Sequence, residues 1–132
     1  MGSPLLLWGN TEMTKPIHFK RGKRKFEKYG GPPGKASIAR LVTPEISKTM
    51  GGGVARFDGC SIEWTVLYDE IIVVLEGKFR LRLGQSYKQK IDAKPGDVIW
   101  LPEGTPVKYE GDKAVVFYAL DPVDWRRRHG MA

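Results

Sequence analysis

The residue of this 132-residue chain best suited to chemistry is Glu70, a carboxylate in an apolar part of the sequence. In a packed core we expect it to lie near Trp64, Val66, Ile72 and Val107. Burial among apolar groups disfavours the charged form of a carboxylic acid and raises its pKa, which suits a general acid or base near neutral pH. The alternative is a structural carboxylate that is satisfied by a neighbouring hydroxyl or amide.

Two tyrosines, Tyr68 and Tyr109, are predicted to work with Glu70 as the candidate catalytic set. Their hydroxyl groups can orient a polar ligand, and the alternative for both is core packing with a hydrated hydroxyl. Trp64 and Trp100 are expected in the core, although an aromatic wall would also suit a small amphipathic ligand. The predicted wall of this ligand pocket consists of Trp64, Val66, Ile72, Trp100 and Val107.

Other kinds of catalytic site find little support. The only histidines, His18 and His129, lie near the two ends of the chain, far in sequence from a nucleophile that needs a base. Tyr29 and Ala36 occupy positions that a phosphate-binding loop reserves for glycine and Ser/Thr. The single cysteine, Cys60, allows neither an internal disulfide nor a CxxC zinc site and fits a reducing compartment. We therefore expect a cytoplasmic protein.

The elements that position these residues are predicted to be short β-strands. Apolar alternation between turn residues predicts nine strands over 38–42, 54–57, 61–67, 69–76, 79–83, 87–91, 98–101, 107–109 and 114–120. Gly51 to Gly53 are predicted as a turn, and a short terminal helix is predicted to begin at 121–125. Many short strands without an earlier helical stripe predict an all-β, antiparallel sandwich or barrel.

The net charge of +7 is distributed unevenly along the chain. Residues 1–50 contain ten Lys/Arg and three Asp/Glu, whereas residues 51–132 contain twelve of each. The predicted organisation is a basic, irregular N-terminal arm over 1–36, a barrel over 37–122 and a C-terminal tail over 123–132. No apolar run approaches the ~20 residues of a membrane helix, so no membrane partner is expected.

Residues 18–29 of the arm interleave basic and aromatic side chains, a composition that phosphate and single-strand binders share. A solvated arm is the simpler interpretation, and nucleic acid is not expected as a partner. Arg80 and Arg82 alternate with apolar residues and are predicted on the exposed face of a strand, with a phosphate or partner site as the alternative.

Two segments resemble the signature motifs of the cupin superfamily, whose members are small jelly-roll barrels. Residues 64–77 resemble the first motif, H-x-H-x(3,4)-E-x(6)-G, with Glu70 and Gly77 in the glutamate and glycine places. Residues 95–107 resemble the second motif, G-x(5)-P-x-G-x(2)-H-x(3)-N. Its glycine and proline places are matched by Gly96, Pro102 and Gly104.

The histidine places of both motifs are filled by other residues. In the commoner spacing these are Trp64, Val66 and Val107, and the longer spacing puts Glu63 and Thr65 in the first pair. Alternation of apolar and polar side chains favours the commoner spacing. A transition metal needs several N, O or S ligands, and only one carboxylate of the motif is retained. We therefore expect no metal cofactor, or only a weakly held one.

Within the cupins, roughly residues 35–125 look like the EutQ-type proteins of ethanolamine utilisation, which also lack the histidine cluster. The segments that carry the resemblance are 64–65, 68–70, 74–77, 93–98 and 102–104. The resemblance implies a homodimeric, cytoplasmic cupin linked to amine catabolism, and an acetate kinase activity has been ascribed to the family. This chain has Glu103 where the EutQ-type pattern often has lysine, and a short arm of its own, which argue against phosphoryl transfer.

Two functions of different classes follow. The first is binding of a small polar metabolite in a barrel pocket, with metal-independent acid/base chemistry at Glu70, in ethanolamine or related amine catabolism. The second is a non-catalytic small-molecule-binding or assembly component whose basic arm contacts an acidic partner.

Overall fold

The computed structural model describes residues 15–131, so residues 1–14 of the predicted arm lie outside the described residues. The described chain forms an all-β antiparallel barrel, as predicted, with one short α-helix near its end. The strands are β1 (Glu27–Lys28), β2 (Lys35–Val42), β3 (Gly51–Asp58), β4 (Ser61–Thr65), β5 (Asp69–Leu83), β6 (Gln89–Ala93), β7 (Val98–Leu101) and β8 (Pro106–Asp121). The helices are the 3-10 turns Arg21–Lys23 and Gln85–Tyr87 and the α-helix α1 (Trp125–Arg128).

The two long strands, β5 and β8, connect the two halves of the barrel. They pair with each other along most of their length. On its other side, β8 pairs first with β4 and then with β3, which continues through β2 to β1. On the other side of β5 lie β7 and then β6. The sheet therefore has two halves. The start of β5 and the end of β8 lie in one half, with β7 and β3, and the end of β5 and the start of β8 lie in the other, with β6 and β4.

A bulge near Gly77 lets β5 pass from one half to the other. The β5–β8 register shifts between Val74 and Lys78, and Gly77 has a φ of +71°. A bulge adds a residue to one strand and so exchanges its inward and outward positions. Val74 before the bulge and Phe79 after it are consequently both buried, although one is even-numbered and the other odd-numbered.

The core fills the space between the two halves with apolar side chains. Its fully buried members include Ile72, Val74 and Leu81 of β5 and Val107 and Val116 of β8. Burial of each such side chain contributes about 1.5–3 kcal/mol. Because both halves contribute to this one cluster, the long strands and their partners are stabilised together.

Some of the sequence predictions on element bounds are wrong. Gly51 to Gly53 do not form a turn but begin β3, and a Cβ on Gly53 would meet the hydroxyl of Tyr118 at 2.8 Å. These positions need glycine because aromatic and backbone groups pack directly on them. The predicted strands 69–76 and 79–83 are one strand, and so are 107–109 and 114–120. Within the arm, β1 pairs with β2 through Glu27 and Lys28.

Apolar side chains also lie on the outer face of the sheet. Ile71 pairs with Trp100, and Val73 pairs with both Val98 and Phe117, and residues paired directly across strands share a face. We call these five residues the outer apolar patch. Trp100 is 57% exposed and Val98 is 64% exposed, so this patch faces solvent in the single chain. None of the helices within residues 15–131 is long and apolar enough to cross a membrane.

Candidate functional site

A cavity of about 730 Å³ lies between the two halves of the barrel. Strands β2, β3, β4, β5 and β8 form its walls, and the residues around α1 cover one end. Most of its lining is apolar, with a small set of polar side chains. A cavity of this size and character is typical of sites that enclose most of a small organic ligand.

Glu70 is one of the few charged groups on the cavity wall. It pairs with Leu101 and Leu120, both buried, so its side chain points inward and only 6% of the residue is exposed. The Tyr109 hydroxyl donates a hydrogen bond to Glu70 Oε1 at 3.0 Å. Burial raises the pKa of Glu70 to about 7, and the bond from Tyr109 partly opposes this rise. Glu70 therefore exchanges a proton in the physiological range.

Four tyrosines surround Glu70 on the cavity wall: Tyr29, Tyr68, Tyr109 and Tyr118. Burial raises the pKa of each, to about 12 for Tyr118. The negative charge of Glu70 adds to this effect because it disfavours a second anion nearby. The hydroxyl groups thus stay protonated at neutral pH and act as hydrogen-bond donors or acceptors for a ligand.

Aromatic packing fixes the positions of these hydroxyl groups. The Tyr109 ring stacks on Phe57 at a centroid distance of 5.7 Å and lies 6.2 Å from Phe79. Trp64 Nε1 donates a hydrogen bond of 3.1 Å to the Tyr68 hydroxyl. A rigid aromatic surround reduces the entropy that is lost when a ligand is oriented.

The chain end covers the cavity. Trp125 of α1 packs edge-on against Trp64 at a centroid distance of 5.8 Å, and its ring lies 5.0 Å from that of Tyr68. Asp124 accepts hydrogen bonds from Arg127 and Arg128, which lower the pKa of Asp124 below its usual range. These bonds stabilise the helical turn itself, and the contacts of Trp125 with Trp64 and Tyr68 hold it against the barrel.

The structure places the sequence-predicted residues in three environments. Trp64, Tyr68, Glu70, Ile72 and Tyr109 line the cavity. Val66 and Val107 are fully buried in the core and are not part of the cavity wall. Trp100 lies neither in the core nor on the cavity wall, so the prediction that it belongs to the core and to the ligand pocket is wrong. Its neighbours Ile99 and Leu101 point inward, and strand alternation therefore directs the Trp100 side chain outward.

Several wall residues were missed by sequence reasoning. Tyr118 alternates with Val116 and Leu120 on β8, a period of two that the sequence does contain. Tyr29 and Trp125 come from the segments assigned to the arm and the tail. Only tertiary packing brings these two side chains to the cavity, and no local sequence pattern predicts their position there.

The donor set of the cavity does not fit a transition metal. The three positions that carry imidazoles in the cupin motifs hold Trp64, Val66 and Val107, which have no ligating atom. Glu70 is the remaining motif ligand, and the tyrosine hydroxyls beside it stay protonated, which makes them poor metal ligands. Among residues 15–131, no group of three or more His, Cys, Asp or Glu side chains is arranged to hold a metal ion.

The barrel and its cavity define the class of protein: a cupin whose histidine ligands are replaced by apolar side chains. The same fold is found in the polyketide cyclase RemF from Streptomyces resistomycificus. That structure is 21% identical, with a TM-score of 0.66 over 83% of this chain and 80% of RemF.

The particular family is that of the ethanolamine utilisation protein EutQ, to which this chain belongs, since residues 13–127 match its family model. The protein named acetate kinase EutQ of Salmonella typhimurium is 32% identical over 104 residues, or 77% of this chain and 44% of the relative. The structure of the Clostridium difficile EutQ protein is 27% identical, with a TM-score of 0.65 over 73% of this chain and 69% of that one. This chain thus spans less than half the length of the Salmonella relative.

Proposed function

We propose that this ethanolamine utilisation cupin binds a small polar metabolite in its cavity and carries out metal-independent acid/base chemistry at Glu70. The observation that carries the proposal is a buried carboxylate with a pKa raised to about 7, exposed to the cavity and hydrogen-bonded by Tyr109. A general acid or base is most effective when its pKa lies near the working pH. We place the protein in ethanolamine or related amine catabolism, in the cytoplasm.

The proposed roles follow from the polar contacts. Deprotonated Glu70 accepts a proton from a ligand C–H or O–H group, and protonated Glu70 returns it. Tyr109 holds the carboxylate through its 3.0 Å hydrogen bond and orients one oxygen. Tyr68, fixed by Trp64, is a second hydroxyl for a ligand oxygen or nitrogen. The apolar walls limit competing water, which strengthens these contacts.

Phosphoryl transfer is less well supported by the residues present. The Salmonella relative carries the name acetate kinase, but this chain spans 44% of its length. Phosphoryl transfer depends on cationic clamps around the phosphate groups. The cations among the described wall residues are Arg40, Arg126 and Arg127, with no lysine, and Glu103 stands where the EutQ-type pattern often has lysine.

A turnover screen tests the proposal. The metal-stripped protein would be assayed against small amines, amino alcohols and hydroxy acids, and separately with acetate and ATP. We expect Glu70→Gln to abolish any turnover while circular dichroism shows an unchanged fold. The matched control is Glu76→Gln on the same strand, whose exposed side chain bonds Arg21 outside the cavity. Turnover that survives Glu70→Gln would contradict the proposed chemistry.

The second candidate function is a non-catalytic binding or assembly component whose basic arm contacts an acidic partner. Lys20, Lys23 and Lys25 are exposed, while Arg21 bonds Glu76 at 2.8 Å and Phe26 lies under the Arg56 guanidinium at 3.5 Å. These two contacts hold the arm against the barrel with its lysines in solvent. Reversing the three lysine charges to Glu should weaken capture of an acidic peptide, measured by fluorescence anisotropy. Unchanged capture would contradict this role.

We also propose that the protein is a homodimer in which a second copy covers the outer apolar patch. Contiguous apolar surface is costly in water, and a flat sheet face can pair with itself across a two-fold axis. Trp100→Asp puts a charge into this patch and should convert dimers to monomers in light scattering. A dimer that persists in Trp100→Asp would show that this face is not the interface.

A further inference from the structure

Arg40 of β2 belongs to the wall of the cavity. In the sheet it pairs with Gly53, which pairs with Tyr118, which pairs with the inward-facing Ile72. Residues in such a row share a face, so the Arg40 side chain leaves β2 on the cavity side. Because Gly53 has no side chain, the Tyr118 ring extends over it, with its hydroxyl 2.8 Å from where a Cβ would be. The Tyr118 hydroxyl is thus directed towards the strand that carries Arg40.

A second arginine acts on the same hydroxyl groups from the chain end. Arg126 of α1 lines the cavity, as do Arg40, Tyr29 and Tyr118. The positive charges of both arginines counteract the rise in the pKa of Tyr29 and of Tyr118 that burial causes. The Tyr118 hydroxyl therefore lies beside the strand that carries Arg40, and Arg126 and Tyr29 belong to the same cavity wall. This combination of charged and neutral donors is typical of sites that bind an oxyanion.

The cations of the cavity wall suit an anionic ligand. Its arginines are 40, 126 and 127, and its carboxylates Glu63 and Asp124 are bonded to Lys108 and to Arg127 and Arg128. Arg40 contacts Glu27 as well, at 3.4 Å, but that pair is exposed and contributes little. A carboxylate can accept two parallel hydrogen bonds from one guanidinium group.

The size of the cavity and its apolar wall indicate how large the ligand is. Most of the remaining wall is apolar, with Ile38, Ala55, Ile72, Val116 and Leu120 among its residues. Cavities of about 300–1,000 Å³ enclose ligands with many non-hydrogen atoms. Acetate would occupy a small part of 730 Å³ and would leave this apolar wall without a partner.

We infer that the cavity binds an elongated monocarboxylate. Its carboxylate is held by Arg40 and Arg126 with the Tyr29 and Tyr118 hydroxyls, its apolar middle contacts the barrel wall, and a hydroxyl or amino group at the far end reaches Glu70. This inference rests on the proposed binding of a metabolite in the cavity, and it does not depend on proton transfer by Glu70.

The test uses calorimetric titration of the full-length chain with compounds that differ at one end. We expect ω-hydroxyhexanoate to bind about tenfold more tightly than hexanediol, since each charge-assisted bond to arginine is stronger than a neutral one. Affinity should rise from acetate through butyrate to hexanoate because longer chains contact more apolar wall. Equal binding of ω-hydroxyhexanoate and hexanediol, or failure of every acid to bind, would overturn the inference.

Two arginine variants test where the carboxylate of the ligand binds. Arg40→Gln should remove most of the preference for ω-hydroxyhexanoate over hexanediol. Arg56→Gln is the matched control, since Arg56 lies on the adjacent strand, faces outward and packs on Phe26. A preference that survives Arg40→Gln, or that Arg56→Gln also removes, would refute the placement.

The Glu70→Gln variant separates this inference from the proposed chemistry. It should keep the preference for the carboxylate, since the proposed contacts to the carboxylate are made by Arg40 and Arg126 and not by Glu70. If acids bind as expected while Glu70→Gln retains turnover, the acid/base proposal fails and the ligand class stands. If Glu70→Gln abolishes turnover while acids and diols bind equally, the ligand class fails and the acid/base proposal stands.

Discussion

Glu70→Gln should change how the stability of the protein depends on pH. The pKa of Glu70 is about 7 in the folded chain, against 4.5 for an unperturbed glutamate. Between these two values the folded state binds more protons than the unfolded state, so the free energy of unfolding falls as pH rises. At about 1.36 kcal/mol per pKa unit, the destabilisation approaches about 3 kcal/mol above pH 7. The glutamine variant has no such titration.

The assay for this prediction is urea unfolding followed by tryptophan fluorescence at several pH values from 4 to 8. The free energy of unfolding of Glu70→Gln minus that of the unsubstituted protein should rise by about 3 kcal/mol across this range. All other titrating groups are common to the two proteins and cancel in the difference. Glu76→Gln, an exposed change on the same strand, should leave the pH profile as it is. Parallel profiles for Glu70→Gln and the unsubstituted protein would refute the reasoning.

Two further substitutions test the packing around the site. Tyr109→Phe removes the donor that opposes the effect of burial, so the pKa of Glu70 should rise further above 7, as measured by carbon-13 NMR of the carboxyl group. Gly77→Ala places a Cβ against the backbone carbonyl of Lys113 at a positive φ and should destabilise the protein by at least about 1–3 kcal/mol in thermal unfolding. Gly22→Ala, which meets nothing nearby, should change stability by less than about 0.5 kcal/mol; equal effects of the two glycine changes would contradict the bulge argument.

The barrel could be predicted because its strands repeat a simple pattern. Phe79 to Leu83 alternate apolar and charged residues, and the structure has them as a strand with the apolar side chains facing the core. The predicted break at Gly77 marks a real irregularity, although it is a bulge within β5. Alternation alone does not distinguish the two, because a bulge and a turn both interrupt the period of two.

The cavity could be predicted only in part. Glu70 and Tyr109 belong to strands whose inward face the alternation shows, and the structure brings them within 3.0 Å of each other. Trp100 was assigned inward from its aromatic character, and alternation with Ile99 and Leu101 overrides that preference. Tyr29 and Trp125 reach the cavity through long-range packing of segments outside the main strands, which leaves no periodic signal in the sequence.

The most direct test of the account is the pKa of Glu70 itself. Carbon-13 labelling of glutamate, with Glu70→Gln to assign the signal, allows the carboxyl resonance to be followed by NMR from pH 4 to pH 9. The account predicts a midpoint near 7, well above the 4.5 of an unperturbed glutamate. A midpoint near 4.5 would mean that Glu70 is fully ionised and solvated at neutral pH, and it would contradict the proposed acid/base role.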